Sequence, residues 1–467
     1  MMTSAVYPLA RNRLLIACLL GVWAAAIAVA PSLALKFALA APAMLLPLSI
    51  WALEAPGRWI SCFFAAALLL PPLPIAWGDT GPHPSLWFAA LGLAAGVFGV
   101  HRWSVPLSGL NGALLAVFLA FLVSIAPAAF YSGAAVAAGS LIRVGLFAIG
   151  VYVFFYTAHG PGTGSDPWAS LRTLYWVAVV AALFACVDFY FQLPAPAGYG
   201  AQYVWLDSSV YRRAQGLFYE ASTLGNFCAF FLVMIAVSVA RPRAETPVSR
   251  PALALGGAVF LAAMVMSYSR SSVLNVLTAL AALAWLNRKR IRLLRLGAIL
   301  IPGLAATVFL IWNLFPQFVE PYWLRLSASA EYLTTATEGV FSGRIASWRI
   351  LINWIAAHPW QAWIGLGYKT LPYSDYLGAP VVGDNMYLTT MVETGVLGLA
   401  SVLWLCIAIL RSAARAAQAA DPTRAFLGAW ILCFWSGQMV QMFSGDLLTY
   451  WRVLPLYFWV LALAVRR

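Results

Sequence analysis

FPQFVEPYWLRLSASAEYLTTATEGVFSGRIASWRI, residues 315–350, continues as LINWIAAHPWQAWIGLGYKTLPYSDYLGAPVVGDNMYLTTMVETGVLG, residues 351–398. Upstream, the chain is a succession of apolar runs joined by short loops. From 316 to 385 it leaves that pattern, and after Asn385 it returns to it. The stretch carries Glu320, Arg325, Glu331, Glu338, Arg344, Arg349, His358, Lys369, Asp375, Asp384 and Glu393. A chain that is otherwise apolar and gathers its polar groups in one long loop has placed its chemistry there.

Inside the loop, Ser342-Gly343-Arg344 reads as a helix start with Ser342 as N-cap. Ile345, Trp348, Leu351, Ile352 and Ile355 follow at helical spacing as one apolar stripe, and Pro359 ends it. The expected element is an amphipathic helix on the membrane surface, with Arg344 in its first turn and Arg349 on another side. The loop closes at Gly383-Asp384-Asn385. Nine residues separate Asn385 from Gly395-Val396-Leu397-Gly398.

The composition agrees with this division. The chain is 63% hydrophobic and 9% charged, with a mean hydropathy of +0.85. Those values exclude a soluble globular domain and indicate an all-α polytopic transmembrane bundle. About 20 apolar residues cross a bilayer. By that length, spans are expected within 14–30, 33–52, 59–77, 85–100, 105–127, 135–157, 170–191, 216–240, 252–269, 272–286, 296–315, 386–410, 425–443 and 450–465, in all about 12–14. The first follows Arg11 and Arg13 and reads as an uncleaved span. Four regions result: N-terminal helices over 1–211, helices with arginine motifs over 212–315, the large loop over 316–385, and C-terminal helices over 386–467.

The net charge of +13 is explained by orientation. With both termini in the cytoplasm, the cytoplasmic loops hold eighteen of the 28 basic residues against four acids. The run from Asn287 to Arg295 is part of that bias, so no nucleic-acid partner is implied. The large loop then lies outside. All six cysteines fall in apolar runs, without metal-ligand spacing and without a disulfide pattern.

An arginine on the outer face has no orientation role and needs a local reason. Arg213, Arg270 and Arg344 each stand where an outer loop meets a helix. Each has a bland reading, an ion pair or a lipid headgroup contact. Together they suit one anion, because the guanidinium fork matches phosphate oxygens and keeps its charge near apolar surroundings. No paired carboxylates suggest a metal and no Walker glycine loop suggests a nucleotide, so no cofactor is expected. The anion expected at the outer membrane surface is a lipid phosphate or diphosphate. A diphosphate is also a leaving group, whose developing charge the arginines would balance. Glu220 and Asp384 are the carboxylates nearest these motifs and the candidates for a base. Their bland readings are an ion pair with Arg213 and helix capping, respectively. His358, before Pro359, reads as a helix-end residue. Arg143, deep in a span, needs a partner.

From about Arg212 to Asp446 the chain resembles the O-antigen ligase/polymerase superfamily of bacterial membrane glycosyltransferases. Arg213-Ala-Gln-Gly216-Leu-Phe-Tyr-Glu220 resembles the family's Arg-x-x-Gly-x-Phe segment, and Ser269-Arg270 its Ser-Arg span end. Ser342-Gly343-Arg344 with Trp348, then Gly365-Leu366-Gly367, resembles the start of its periplasmic loop. Asp384-Asn385 with Gly395 and Gly398 is similar to the ligase pattern His-Asn, nine residues, Gly-x-x-Gly. This chain has Asp384 where those ligases carry their catalytic histidine. Asp-Asn there, with Glu220 after the first motif, looks more like the polysaccharide polymerases.

The resemblance implies a bacterial inner-membrane enzyme with its active site facing the periplasm. The implied donor is an undecaprenyl-diphosphate-linked oligosaccharide, and the acceptor a glycan or lipid-linked repeat unit. No metal is implied, and a chain-length regulator protein is a further partner it allows. It also implies roles for Arg213, Arg270 and Arg344 on the diphosphate, with Asp384, Glu220 and Arg344 as the catalytic set. Asp384 is favoured as base because it fills the histidine's place. The expected function is polymerisation of O-antigen or exopolysaccharide repeat units. The alternatives are a ligase acting on lipid A-core or a protein, and, in another class, a polysaccharide flippase. A flippase is expected to show repeated halves and short outer loops, neither of which is seen here.

Overall fold

The structure is a computed structural model. It describes residues 6–55, 57–73, 81–106, 108–160, 166–194, 200–205, 210–241, 246–288 and 344–466, with residues 313, 323, 324 and 327. The chain is all-α. The described helices are α1 Val6–Val29, α2 Leu33–Glu54, α3 Arg58–Leu69, α4 Ser85–Phe98, α5 Gly109–Val123, α6 Ile125–His159, α7 Pro167–Phe191, α8 Ala221–Val239, α9 Arg250–Met266, α10 Arg270–Leu286, α11 Arg344–Ala357, α12 Met386–Ala417, α13 Pro422–Gln441 and α14 Leu454–Val465. Backbone polar groups in hydrocarbon must be satisfied within their own segment, and apolar runs of this length therefore become helices.

Among the described residues five helical segments are long and apolar enough to cross a membrane. They are Gly109–His159, Pro167–Phe191, Ala221–Val239, Met386–Ala417 and Pro422–Ser444. Shorter apolar helices accompany them. Two spans expected within 105–157 form one nearly continuous helical segment, broken at Ser124 and kinked at Gly133. The span expected at 296–315 lies, apart from Asn313, outside the described residues. So do Ser342, Gly343, the loop acids Glu320, Glu331 and Glu338, and most of the basic run after Asn287.

Start signals in the sequence are used as caps. Ser32, Ser108, Asp166, Asn385 and Asp421 each accept a backbone N–H from the first turn of the helix that follows. Proline follows Asp166 and Asp421 at the first helical position, where its missing N–H costs nothing. The bundle core is aromatic. Phe230 of α8 lies 4.3 Å from the Trp430 ring of α13 and 4.5 Å from the Tyr457 ring of α14. At one end of the bundle, arginine side chains bind the backbone of neighbouring helices. Arg172 reaches the Pro247 carbonyl, Arg241 that of Ala425, and Arg424 that of Ala464. The opposite end carries the described part of the long loop, from Arg344 to Asn385.

One element departs from the purely helical expectation. Tyr203–Trp205 and Val210–Arg212 pair as a two-stranded antiparallel ribbon before α8. Strands of three residues are too short to leave a period-two signal. Arg212 ties the ribbon to α7 through Asp188 at 3.2 Å and the Leu193 carbonyl at 3.0 Å. Arg143, which needed a partner, has its guanidinium 3.9 Å from the centre of the Tyr373 ring.

The apolar face of α11 also differs from the expected stripe. Leu351 and Trp354 are buried, with Ile355 partly so, whereas Ile352 is exposed. The buried residues follow a three-residue step from Trp348, and Ile352 falls off that line. They pack with Ala362, Leu366, Leu371, Val381 and Val392 into a small second core under the loop. His358 stacks on Trp354 and its Nδ1 lies 3.1 Å from the Trp354 carbonyl, a helix-end arrangement.

Candidate functional site

Arg213 leaves the ribbon and is threaded into the bundle. Its N–H donates to the Gln202 carbonyl and that of Ala214 to the Met266 carbonyl, both backbone bonds. Phe218, further along, is buried. The next anchor is Arg452, itself buried, which donates to the carbonyls of Leu217, Ala67 and Leu70. His83 sits beside it, with Nε2 3.0 Å from the Leu70 carbonyl, and burial with the Arg452 charge pulls its pKa to about 3. This histidine is a neutral packing group. The segment's shape thus comes from a buried arginine that looked, in sequence, like the edge of an apolar run.

So held, Arg213 donates from Nε to the Ser267 carbonyl at 2.8 Å. Burial lowers its pKa; Tyr450, Glu220 and Asp384 oppose that effect, and the Arg344 charge adds to it. These side chains therefore share one electrostatic neighbourhood.

Arg344 is the first residue of α11, and its Nε donates to Asp384 Oδ2 at 2.9 Å. The small loop core positions this pair, and Trp348 Nε1 adds a bond to the Gly383 carbonyl at 2.7 Å. Helix capping, the bland reading of Asp384, falls instead to Asn385, whose Oδ1 accepts from the Leu388 N–H. The pair is partly exposed and contributes at most about 1 kcal/mol to stability. Glu220 precedes α8 and accepts the Ser222 hydroxyl at 2.9 Å on Oε2. Burial raises its pKa. Ser222 and Lys369 oppose the rise, while Asp384 and Asp446 reinforce it.

Arg270 is the first residue of α10, three positions beyond the Ser267 carbonyl that Arg213 uses. It lies on the turn adjacent to Arg213. The structure therefore brings Arg213, Arg344, Glu220 and Asp384 together, and puts Arg270 at the neighbouring helix start.

Sequence reading did not single out Lys369 and Asp446, whose Nζ and Oδ2 lie 2.5 Å apart on the same face. Burial alone would lower the Lys369 pKa, yet Asp446 and Glu393 outweigh it and the pKa is raised, so the group stays an ammonium. The loop that carries Lys369 is clamped on both sides. The Tyr368 N–H donates to Ser124 Oγ, its carbonyl accepts from Ser140 Oγ, and its ring stacks 4.1 Å from Phe121.

The far side of that loop rests on a broken helix. α12 is non-helical at Gly395, with φ 71°. The break frees the carbonyls of Val392 and Glu393, which accept from Leu366 at 3.0 Å and Gly367 at 2.7 Å. A Cβ at Gly395 would lie 2.1 Å from the Trp363 carbonyl oxygen. The Gly365-Leu366-Gly367 and Gly395-x-x-Gly398 patterns are thus two halves of one joint, in which a loop caps a helix break inside the apolar bundle.

Backbone strain collects at the same place. Among the described residues, the non-glycine residues with left-handed backbone are Gln192, Tyr268, Lys369 and Asp384. Gln192 caps α7, whereas Lys369 and Asp384 belong to the two ion pairs above and Tyr268 follows Ser267, whose carbonyl Arg213 binds. Such strain persists where surrounding structure over-determines it, often at functional sites. The only sequence signal for Lys369 and Asp446 was a charge in each of two outer loops. Their pairing is a long-range contact that no local spacing encodes.

Among the described residues no group of three His, Cys, Asp or Glu side chains is placed to hold a metal ion. What this cluster offers is guanidinium donors near two carboxylates, suited to an anion beside a nucleophile that must lose a proton.

Residues 255–403 match the protein-family model described as O-antigen ligase. That match supports the O-antigen ligase/polymerase superfamily and, more coarsely, a membrane glycosyltransferase-like function in O-antigen or polysaccharide synthesis. It contains Arg270, Arg344, Lys369, Asp384 and Glu393, while Arg213, Glu220 and Asp446 lie outside it. No curated protein matches the chain.

Proposed function

We propose that this crevice transfers a glycan from a polyprenyl diphosphate carrier at the outer surface of the bacterial inner membrane, polymerising O-antigen or exopolysaccharide repeat units. The observation that carries the reading is the meeting of Arg213 and Arg344 with Glu220 and Asp384. They come from separate parts of the chain, beside the Arg270 helix start.

Arg213, Arg344 and Arg270 bind the diphosphate. The acceptor hydroxyl attacks the anomeric carbon, the carbon–oxygen bond to the diphosphate breaks, and that bond's electrons leave on the diphosphate. The hydroxyl proton passes to a carboxylate. Between the two, the surroundings favour Glu220, whose pKa burial raises above the ordinary carboxylate value, which strengthens it as a base. Asp384 is committed to Arg344, so its part is to hold that arginine. The arginines supply the charge stabilisation for which a metal is otherwise used.

The ligase reading has one specific support, the description of the matched family model. Surface glycan from a deletion strain, resolved by gel, separates the two. The polymerase reading predicts loss of long chains with single-unit product retained. Loss of all attachment, with carrier-linked polymer accumulating, would favour the ligase.

A further inference from the structure

Beneath the crevice, inside the apolar bundle, four amide side chains meet. Asn226 of α8, Asn275 of α10, and Gln438 and Gln441 of α13 are each at most 1% exposed. Asn226 Nδ2 donates to Gln438 Oε1 at 2.7 Å and to Gln441 Oε1 at 2.8 Å. Asn275 Nδ2 donates to the same two oxygens, at 3.2 Å and 2.8 Å. From α14, the Tyr457 hydroxyl donates to Asn226 Oδ1 at 2.7 Å. Amides are costly to bury, and such clusters add little stability over apolar packing. Their presence asks for a reason besides stability.

The hydrogen bonds continue upward. Gln441 Nε2 donates to Ser272 Oγ at 3.1 Å, and Ser272 Oγ lies 2.7 Å from Ser269 Oγ. The Ser269 N–H donates to Ser267 Oγ at 3.3 Å. The Ser267 carbonyl is the one that accepts from Arg213. Hydrogen bonds and the covalent backbone of the turn together join the amide cluster to the guanidinium. This link accounts for the serine-rich turn Ser267-Tyr268-Ser269-Arg270-Ser271-Ser272. Gly225 lets this turn rest flat on α8, since a Cβ there would lie 2.6 Å from Ser272 Oγ and 2.9 Å from Ser269 Cβ.

The three helices that the cluster ties together each end at the crevice. α8 begins after Glu220, α10 begins at Arg270, and α13 leads to Asp446. Tyr268, in the middle of the ladder, is held in left-handed backbone with φ 51°. A turn in that conformation needs fixing from both sides.

We propose that the amide cluster of Asn226, Asn275, Gln438 and Gln441, with the Ser267–Ser272 ladder, is a positioning device that aims Arg213 at a lipid-linked diphosphate. The proposal rests on the diphosphate reading above. In this proposal the amides touch no substrate and act on binding through Arg213. That makes a double-mutant cycle diagnostic, since residues in one network couple while independent ones add.

The test uses the full chain in lipid nanodiscs, with undecaprenyl diphosphate as the binding probe. Ser272→Ala removes one rung and leaves the amide cluster in place, while Gln441→Met cuts the ladder from below. Ser272→Ala should lower the thermal unfolding temperature, since the buried Gln441 Nε2 loses its acceptor, and weaken binding about threefold to tenfold. In an Arg213→Lys background, already weakened, Ser272→Ala and Gln441→Met should add no further loss. Wild-type binding by Ser272→Ala, while Arg213→Lys is impaired, would overturn the ladder alone. So would the same loss in both backgrounds, which means a general structural role. If Arg213→Lys binds as well as the native chain, the diphosphate reading fails, and the role given to the ladder fails with it.

Discussion

Glu220 and Asp384 are carboxylates on one face of the bundle, and their partners divide the work between them. Glu220 accepts a hydroxyl in a desolvated setting that raises its pKa. If it is the base, it must be ionised to act. Transfer by the native chain should then fall as pH drops through that raised pKa, on an acid limb above the ordinary carboxylate range. Glu220→Gln should lose about a hundredfold or more in rate and abolish that limb. Asp384→Asn frees Arg344 from its ion pair. It should slow transfer less, and should change thermal stability by no more than about 1 kcal/mol, since the pair is partly exposed. A pH–rate profile of each variant decides between them. An unchanged acid limb in Glu220→Gln would move the base to Asp384.

Lys369 and Asp446 are a different matter, being largely enclosed. Asp446→Asn leaves an ammonium facing Glu393 and Glu220 without its nearest partner, and since the pair is partly enclosed the cost should approach the roughly 3–5 kcal/mol of a fully buried pair without reaching it. Thermal unfolding should show that loss. Removing both charges in Lys369→Met/Asp446→Asn should recover part of it. If the double variant is less stable than either single one, the pair is not the unit described.

At the scale of elements, the joint between the 365–367 loop and broken α12 holds the floor of the crevice. Gly395→Ala adds a Cβ against the Trp363 carbonyl and forces a left-handed backbone on alanine. It should cost at least about 2 kcal/mol in thermal unfolding. A native-like unfolding temperature would mean that α12 can straighten, and that the break is dispensable.

This joint also shows what could be read before the fold was known. The glycine pairs at 365–367 and 395–398 stood out as patterns, yet nothing local says that one fills the break in the other. The helices themselves were legible from apolar runs, whereas the caps at Ser108, Asp166 and Asp421 were not singled out by sequence reading. The ribbon at 203–212 was not legible, because three-residue strands carry no period. On α11 the helix was legible, but one member of its stripe was not. Ile352 and Trp354 are two positions apart, and only the tertiary contact with the loop core selects Trp354. Arg213, Arg344, Glu220 and Asp384 were legible as polar residues at helix starts on one face. Lys369, Asp446 and Arg452 were not, since their roles are contacts between residues far apart in sequence.

For the whole molecule, the charge asymmetry predicts which end faces which compartment. In a cysteine-free background, Asn353→Cys on α11 should react with an impermeant maleimide in intact cells. Ala420→Cys, between α12 and α13, should react only after lysis. The reverse pattern would invert the orientation and put the crevice on the wrong side for an exported carrier-linked glycan.

The central claim is that the arginines of the crevice act on a lipid diphosphate during glycan transfer. Its most direct test is chain extension from an undecaprenyl-diphosphate-linked oligosaccharide by purified protein in EDTA. Wild type is compared with Arg213→Lys, Arg270→Lys and Arg344→Lys, each checked for folding. Lysine keeps the charge and loses the fork, and charge-assisted hydrogen bonds contribute about 1.5–3 kcal/mol each. The predicted result is full wild-type activity in EDTA and losses of about tenfold to a hundredfold in the variants. Near-wild-type rates in all three variants, or a wild-type rate that collapses in EDTA and returns with magnesium or manganese, would contradict it.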